Sequence, residues 1–278
     1  MSSFHSLGIG LAMALIAPAV GQAQGAPAQP APSDSAIEAP PLVTPALAAR
    51  VAPIKWTYVT TLAMGEGTPQ RIGFRTLTVA DAMFQGAPAW LVIDSRQMHT
   101  VTYAESLFVS KRDLSPMVQV RHTPTGTVVS RYAADSVRTT FDDDSAHGTV
   151  AMPNQPGLLA NLYLLEALLG ADSLHAGWAT SAHLAAITPQ QSGVVPLDTR
   201  VVGEEKTMIP DGAFDAWVVA LQIGSSQEKI WVRKSDGVVI KEELPVVGMG
   251  GATVQVILGL HGVGEAGSGK GKAGAAAP

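Results

Sequence analysis

The chain has 278 residues, enough for one large domain or two small ones, and its 46% hydrophobic content can fill a sizeable core. A net charge of -5, with only 15% charged residues, leaves no clustered basic face of the kind nucleic acid requires. With no cysteine, disulfides, thiolate metal sites, a cysteine nucleophile and a lipid-modified N-terminal cysteine are all excluded.

Leu7 to Val20 is an apolar run of the length of a signal-peptide core and too short to span a bilayer comfortably. Gly21-Gln22-Ala23 places small residues where signal peptidase reads them, so residues 1–23 are expected to be a cleaved export signal. One feature departs from that pattern: no Lys or Arg precedes Arg50, and the competing readings are an apolar N-terminal anchor or a misplaced start. After cleavage no transmembrane span is expected, and the mature protein is placed in the periplasm or outside the cell. Residues 24–50 are rich in Ala and Pro, which removes backbone donors and fixes φ, and they read as an extended linker.

From Val51 the dominant signal has period two. In Ile54 to Met64 the even positions are Ile54, Trp56, Tyr58, Thr60, Leu62 and Met64, and only a strand gathers them on one face. Further strands are predicted at 71–79, 90–93, 100–109, 117–122, 127–133, 137–141 and 149–152, separated by turns such as Gly86-Ala87-Pro88 and Pro124-Thr125-Gly126. Pro156-Gly157 then opens a nearly all-apolar helix over 158–169, whose strongly polar residues are Asn161 and Glu166, with Gly170 as its C-cap. A helix so uniformly apolar must be buried, and it is too short to cross a membrane. Strands at 178–187 and 194–202 follow, then a meander through 244 and a last strand at 252–258. The prediction is a single mainly β domain over 51–261, an antiparallel curved sheet or half-open barrel with one buried apolar helix. Residues 262–278 form a Gly/Ala tail with nothing to bury.

Catalytic and metal-binding patterns are weak. Gly264 to Gly271 resembles a phosphate-binding loop, but Gly271 stands where Ser or Thr should ligate magnesium, and no helix can follow. Asp142-Asp143-Asp144 lacks the alternation of a calcium loop and suits a solvated turn, although His147 beside it makes this the place where a weak metal site could assemble. The seven histidines show no zinc-binding spacing, and no nucleophile elbow is present. A serine hydrolase with a dispersed triad drawing on His122, His175 or His183 stays open, because a triad is defined by geometry. No cofactor is expected. The candidate ligand contacts are Trp231, Trp56 and Trp90. Trp56 shares an apolar face with Ile54 and Tyr58, whereas Trp231 lies by parity with Lys229 and Arg233. A two-residue turn at Asp236-Gly237 would set Trp231 opposite Glu242.

Gly203-Glu204-Glu205 followed by Pro210-Asp211-Gly212-Ala213-Phe214-Asp215-Ala216-Trp217 resembles a family of exported bacterial domains of unknown function. That family carries a G-x-E…P-A-G-x-F-x-A turn motif, with Ala where this chain has Asp211. Trp231-Val232, the final hairpin and Leu114-Ser115-Pro116 match the same pattern. The motifs are structural turns and carry no catalysis. The resemblance implies similarity to periplasmic half-barrel carriers of lipoproteins and lipids. The export signal, the all-β pattern, the very apolar helix and the lack of a catalytic motif lead to the expectation of a non-enzymatic envelope protein that binds an apolar ligand or an acylated partner on a curved β-sheet. The alternatives are an assembly module that binds another envelope protein or, third, an uncharacterised hydrolase.

Overall fold

The alternating runs and their turn residues assemble into one sheet in the computed structural model, which describes residues 39–64, 67–144, 146–190, 192–246 and 252–259. Eight strands come first: β1 (Ile54–Met64), β2 (Gln70–Phe84), β3 (Ala87–Met98), β4 (Val101–Ser110), β5 (Pro116–Thr123), β6 (Gly126–Tyr132), β7 (Ser136–Asp143) and β8 (Ala146–Pro153). A two-residue strand β9 (Leu158–Leu159) leads into a helix, and β10 (Ala179–Ile187), β11 (Ser192–Ile209), β12 (Gly212–Ile223), β13 (Ser226–Arg233), β14 (Val239–Pro245) and β15 (Ala252–Leu258) complete the set. The spatial order is β8-β7-β6-β5-β4-β3-β2-β1-β15-β14-β13-β12-β11-β10-β9, so two meanders are joined where the first strand pairs with the last. All pairings are antiparallel except β9 with β10. The predicted strands are present and mostly longer than alternation alone indicated, because Gln85 (φ 50°) and Gly86 (φ 81°) form a tight turn that lets β2 and β3 pair along their full lengths.

The sheet is open between β8 and β9. Across that gap, side chains replace the hydrogen-bonded ladder: Val137, Met152 and Leu158 form a small buried cluster against Ile187 and Val194, and Ser192 Oγ donates to the Ala151 carbonyl at 3.3 Å.

The helix differs from the sequence reading at both ends. Leu158 and Leu159 are extended and pair with His183 and Leu184, and the α-helix runs Leu162–Ala171. Asn161 fixes the start, since its side-chain oxygen accepts from the Leu164 amide at 3.1 Å, a function Pro156 cannot perform. Gly170 is not the cap; Asp172 is. Gly170 instead lies against Gly237 of the β13–β14 turn, where a Cβ would come within 2.8 Å of the Gly237 carbonyl oxygen. Leu164, Leu165, Leu168 and Leu169 are fully buried and Leu162 and Ala167 nearly so, and the helix fills the concave side of the sheet.

Residues 39–50, the end of the stretch read as linker, are packed. The Leu42 amide donates to the Ser181 carbonyl at 2.9 Å and the Ser181 amide to the Pro40 carbonyl at 3.1 Å, which makes an isolated parallel bridge between Pro41 and Ser181. A single helical turn, α1 (Pro45–Ala48), is capped by Thr44, and we number the longer helix α2. Leu42, Leu47 and Ala48 join the core, and Arg50 pairs with Asp172 at 2.8 Å. The run expected to be an export signal, the rest of the expected linker, the phosphate-loop-like stretch and the Gly/Ala-rich C-terminal stretch lie outside the described residues. Among the described residues no helix is long and apolar enough to cross a membrane.

Candidate functional site

Strand alternation carries several charged residues inward. On β2 the inward face is Gly73, Arg75, Leu77 and Val79; on β3 Asp94 follows Val92; on β14 Glu242 follows Ile240. These three charges converge under α2, whose Glu166 completes the group. Arg75 is 2% exposed, and its guanidinium spends its donors on three carboxyls. Nε donates to Asp94 Oδ1, Nη2 to Glu166 Oε1, and Nη1 to Glu242 Oε1 at 2.7 Å. Asp94 Oδ2 accepts from Arg96 Nε at 2.7 Å, and Arg96 Nη2 donates to the Tyr163 hydroxyl. The Tyr163 ring lies 4.9 Å from the Arg75 guanidinium carbon and 4.8 Å from that of Arg96, so both cations also rest on one aromatic ring.

Charges this deep must balance, because each unpaired ion retains a desolvation penalty of several kcal/mol. Burial pushes Asp94 up, but Arg75 and Arg96 outweigh it and hold the carboxyl below its usual range. Burial moves Glu166 the other way; Arg75 opposes the shift, the Glu242 charge reinforces it, and the carboxyl ends well above its ordinary value.

Beside this network is a cavity of about 190 Å³. Leu162, Leu184, Ile187, Leu221, Ile230 and Leu244 supply its apolar walls. Its polar lining comes from Asp94 and Arg96 on β3, Glu105 on β4, Arg121 and His122 on β5, Tyr163 and Glu166 on α2, Glu228 on β13 and Glu242 on β14. Glu105 accepts from Gln119 Nε2 at 2.8 Å and from Asn161 Nδ2, which ties the helix cap to the far wall. Burial raises the Glu105 pKa, partly countered by Arg121. Burial, with the charge of Glu242 added, pushes Glu228 up to about 7.

That shift has a measurable sign. Between the ordinary carboxyl range and about 7, the folded protein holds a proton on Glu228 that the unfolded chain has released. Stability therefore falls as pH rises through this window and levels off above it. Glu228→Gln removes the slope. The variant and the parent should be equally stable at pH 4, and at pH 8 the variant should be more stable by about 1–3 kcal/mol. Urea unfolding across pH 4–9 measures both, and parallel curves for the two proteins would refute the assignment.

The three tryptophans singled out from sequence do not line the cavity. Trp231 is 4% exposed and lies on the face of β13 opposite Glu228 and Ile230. Its indole donates to Glu205 Oε1, and Lys241 Nζ stands 4.4 Å from its ring centroid. Its cross-strand neighbour is Lys241, not Glu242, which pairs with Ile230. The turn is longer than Asp236-Gly237, with Arg233 N donating to Val238 O at 2.8 Å, and a register shift separates Trp231 from Val232. Trp56 is buried against Gly170 near the end of α2. Trp90 is buried beneath Lys111, whose Nζ is 3.8 Å from a ring centroid.

The histidines are dispersed. His122 lines the cavity and contacts Thr127 Oγ1 at 3.2 Å. His175 bonds the Ser173 carbonyl oxygen in the loop after α2, and His183 lies exposed on β10. The aspartate triplet splits by strand parity: Asp142 faces His147 at 3.4 Å in solvent, while Asp143 turns inward to the hydroxyls of Thr123 and Thr125. Among the described residues no group of three His, Asp or Glu side chains is arranged to hold a metal ion.

Sequence reasoning missed Arg75, Asp94, Glu105 and Glu228. Their trace was legible as a charged residue within an inward apolar row, Leu77 and Val79 beside Arg75, or Leu107 and Val109 beside Glu105.

No family model matches the chain, and no curated protein matches it. Among solved structures the chain is similar to a β-barrel-like protein of the domain of unknown function DUF1849 from Brucella abortus, at 9% identity over 76% of this chain and 97% of that one, with a TM-score of 0.46. It is also similar to the hypothetical lipoprotein YmcC of Escherichia coli K12, at 12% identity over 75% of this chain and 87% of that one, with a TM-score of 0.30.

Proposed function

We propose that the protein is a non-catalytic binder of the cell envelope that holds a small amphipathic molecule in the cavity beneath α2. The observation that carries this reading is the cavity's division into an apolar wall and a charged wall. Small-molecule sites have this composition, a largely apolar lining with a few fixed polar groups that set orientation. A purely apolar ligand fits less well, because α2 already occupies the space such a ligand would fill and the remaining walls carry carboxyls. The apolar run before Ala23 supports export to the periplasm.

Organic extraction and mass spectrometry of protein purified from the periplasm should recover a bound amphipath. Ala186 lines the cavity, so Ala186→Phe should fill it and abolish that recovery while leaving the thermal midpoint within a few degrees of the parent. If the parent protein is empty and the variant behaves identically towards every small molecule offered, the cavity is not a binding site.

A second reading, an assembly module that recruits a protein, is favoured by one observation: β8 is the sheet's last strand on that side, and its outer edge carries no ladder. Cross-linking through positions on β8 would then recover one stoichiometric partner.

A further inference from the structure

We infer that the cavity selects a ligand with a cationic, hydrogen-bond-donating head, a primary ammonium or a guanidinium, held between Glu166, Glu242 and Glu228. The inference rests on the reading of the cavity as a binding site and adds the chemical class of what enters it.

Three observations point there. First, the lining carries five carboxyls (Asp94, Glu105, Glu166, Glu228, Glu242) against two guanidiniums (Arg96, Arg121); Arg75, behind the wall, and Arg96 answer Asp94, Glu166 and Glu242, which leaves Glu105 and Glu228 against Arg121. Second, Glu166 is 2% exposed, lines the cavity and has an oxygen, Oε2, that receives no donor from the protein. The carboxyl within reach of it, Glu242, is another acceptor unless one of the two is protonated. Buried carboxylate oxygens are rarely left without donors, and a missing donor marks the place of a proton, a water or a ligand group. Third, Glu228 forms neither a hydrogen bond nor an ion pair with another side chain among the described residues, and burial, with the charge of Glu242 added, raises its affinity for protons.

An ammonium at this position supplies what is lacking: positive charge and several N–H donors directed at Glu166 Oε2 and Glu228. Its hydrocarbon part then runs along Leu184, Ile187 and Leu244. The absence of a three-ligand metal arrangement among the described residues favours an organic cation over a metal ion. An anionic head would meet repulsion from the same carboxyls. Because the cation takes the place of a proton, its binding should release protons near neutral pH. The groups facing this exchange are Glu166 and Tyr163 from α2, Asp94 and Arg96 from β3, Glu105, Arg121 and His122 from β4 and β5, and Glu242 from β14.

The test is calorimetric titration of the purified protein at pH 8 with octylammonium, octanol and octanoate, which share one chain length and differ in head charge. Octylammonium should bind about tenfold or more tightly than octanol, as charge-assisted hydrogen bonds predict, and octanoate more weakly than either. In two buffers of unlike ionisation enthalpy, the octylammonium heat should differ by the protons released. Glu228→Gln and Glu166→Gln should each cut octylammonium affinity by about tenfold and leave octanol affinity unchanged, a pattern a merely destabilised protein would not give. Equal or tighter binding of octanol or octanoate overturns the cation assignment while leaving the cavity a binding site. If none of the three binds and Ala186→Phe alters no titration, both readings fall together.

Discussion

Arg75→Ala is expected to lower the unfolding free energy by roughly 3–5 kcal/mol, the range for removing one member of a buried ionic group. The guanidinium is the common donor to Asp94, Glu166 and Glu242, which are drawn from two strands and a helix 19, 91 and 167 residues away in sequence. Without it, Asp94 keeps only Arg96, and Glu242 and Glu166 are left as two acids side by side on the cavity wall. The loss should shrink at low pH, where protonation relieves the carboxyls. Replacing the whole group with apolar residues of similar size, Arg75→Met with Asp94, Glu166 and Glu242→Leu, should recover most of the stability, because buried ionic groups generally do no better than well-packed hydrocarbon. Urea titration of both variants decides the matter. A loss below about 1 kcal/mol for Arg75→Ala would mean that the network is solvated and contributes as a surface pair does.

Adding a single methyl group at Gly237 should be nearly as damaging. Gly237 has φ 72°, and a Cβ there would lie 2.3 Å from the Gly170 carbonyl oxygen of α2, backbone against backbone. No side chain can turn aside to make room. Gly237→Ala therefore combines the strain of a left-handed non-glycine residue, about 1 kcal/mol, with overpacking of roughly 1–3 kcal/mol, for a total of about 2–4 kcal/mol. Gly86 provides the control. Its φ is 81°, and nothing lies within 4 Å of an added Cβ, so Gly86→Ala should show the backbone term alone, about 1 kcal/mol. Thermal unfolding of the two variants side by side separates the contributions, and equal losses would show that α2 does not press on the β13–β14 turn.

What the sequence made legible was whatever local chemistry decides. Alternation from Ile54 locates β1 because Trp56, Tyr58 and Thr60 are the buried positions; a register shift between Thr60 and Thr61 then turns Ala63 inward and leaves Met64 exposed. The strand order of the second meander follows from turns such as Pro210-Asp211 and Gly224-Ser225. Where the reading slipped, the deciding contact was distant. Leu158 and Leu159 look helical until β10, more than twenty residues on, offers them a ladder. Trp231 looks like a rim residue because Glu205, which covers its indole, belongs to another hairpin. Arg75 next to Leu77 is ambiguous in one dimension: an inward-facing charge and an irregular strand leave the same trace. Beyond Asp94 on the neighbouring strand, its partners come from the helix in the middle of the chain and from β14 near its end.

The pairing of β1 with β15 sets how the molecule yields when pulled by its two ends. Tyr58 is opposite Leu258 and Met64 opposite Ala252, so the start of the first strand and the finish of the last lie at the same end of one antiparallel ladder. Traction on residues 39 and 259 first peels residues 39–50 from Ser181 and from the Arg50–Asp172 contact. It then meets the ladder bonds one pair after another, as in a zipper, not all together in shear. The mechanical weak line of the protein therefore runs through the centre of its sheet, and tethering both ends would part the two meanders before either one frays.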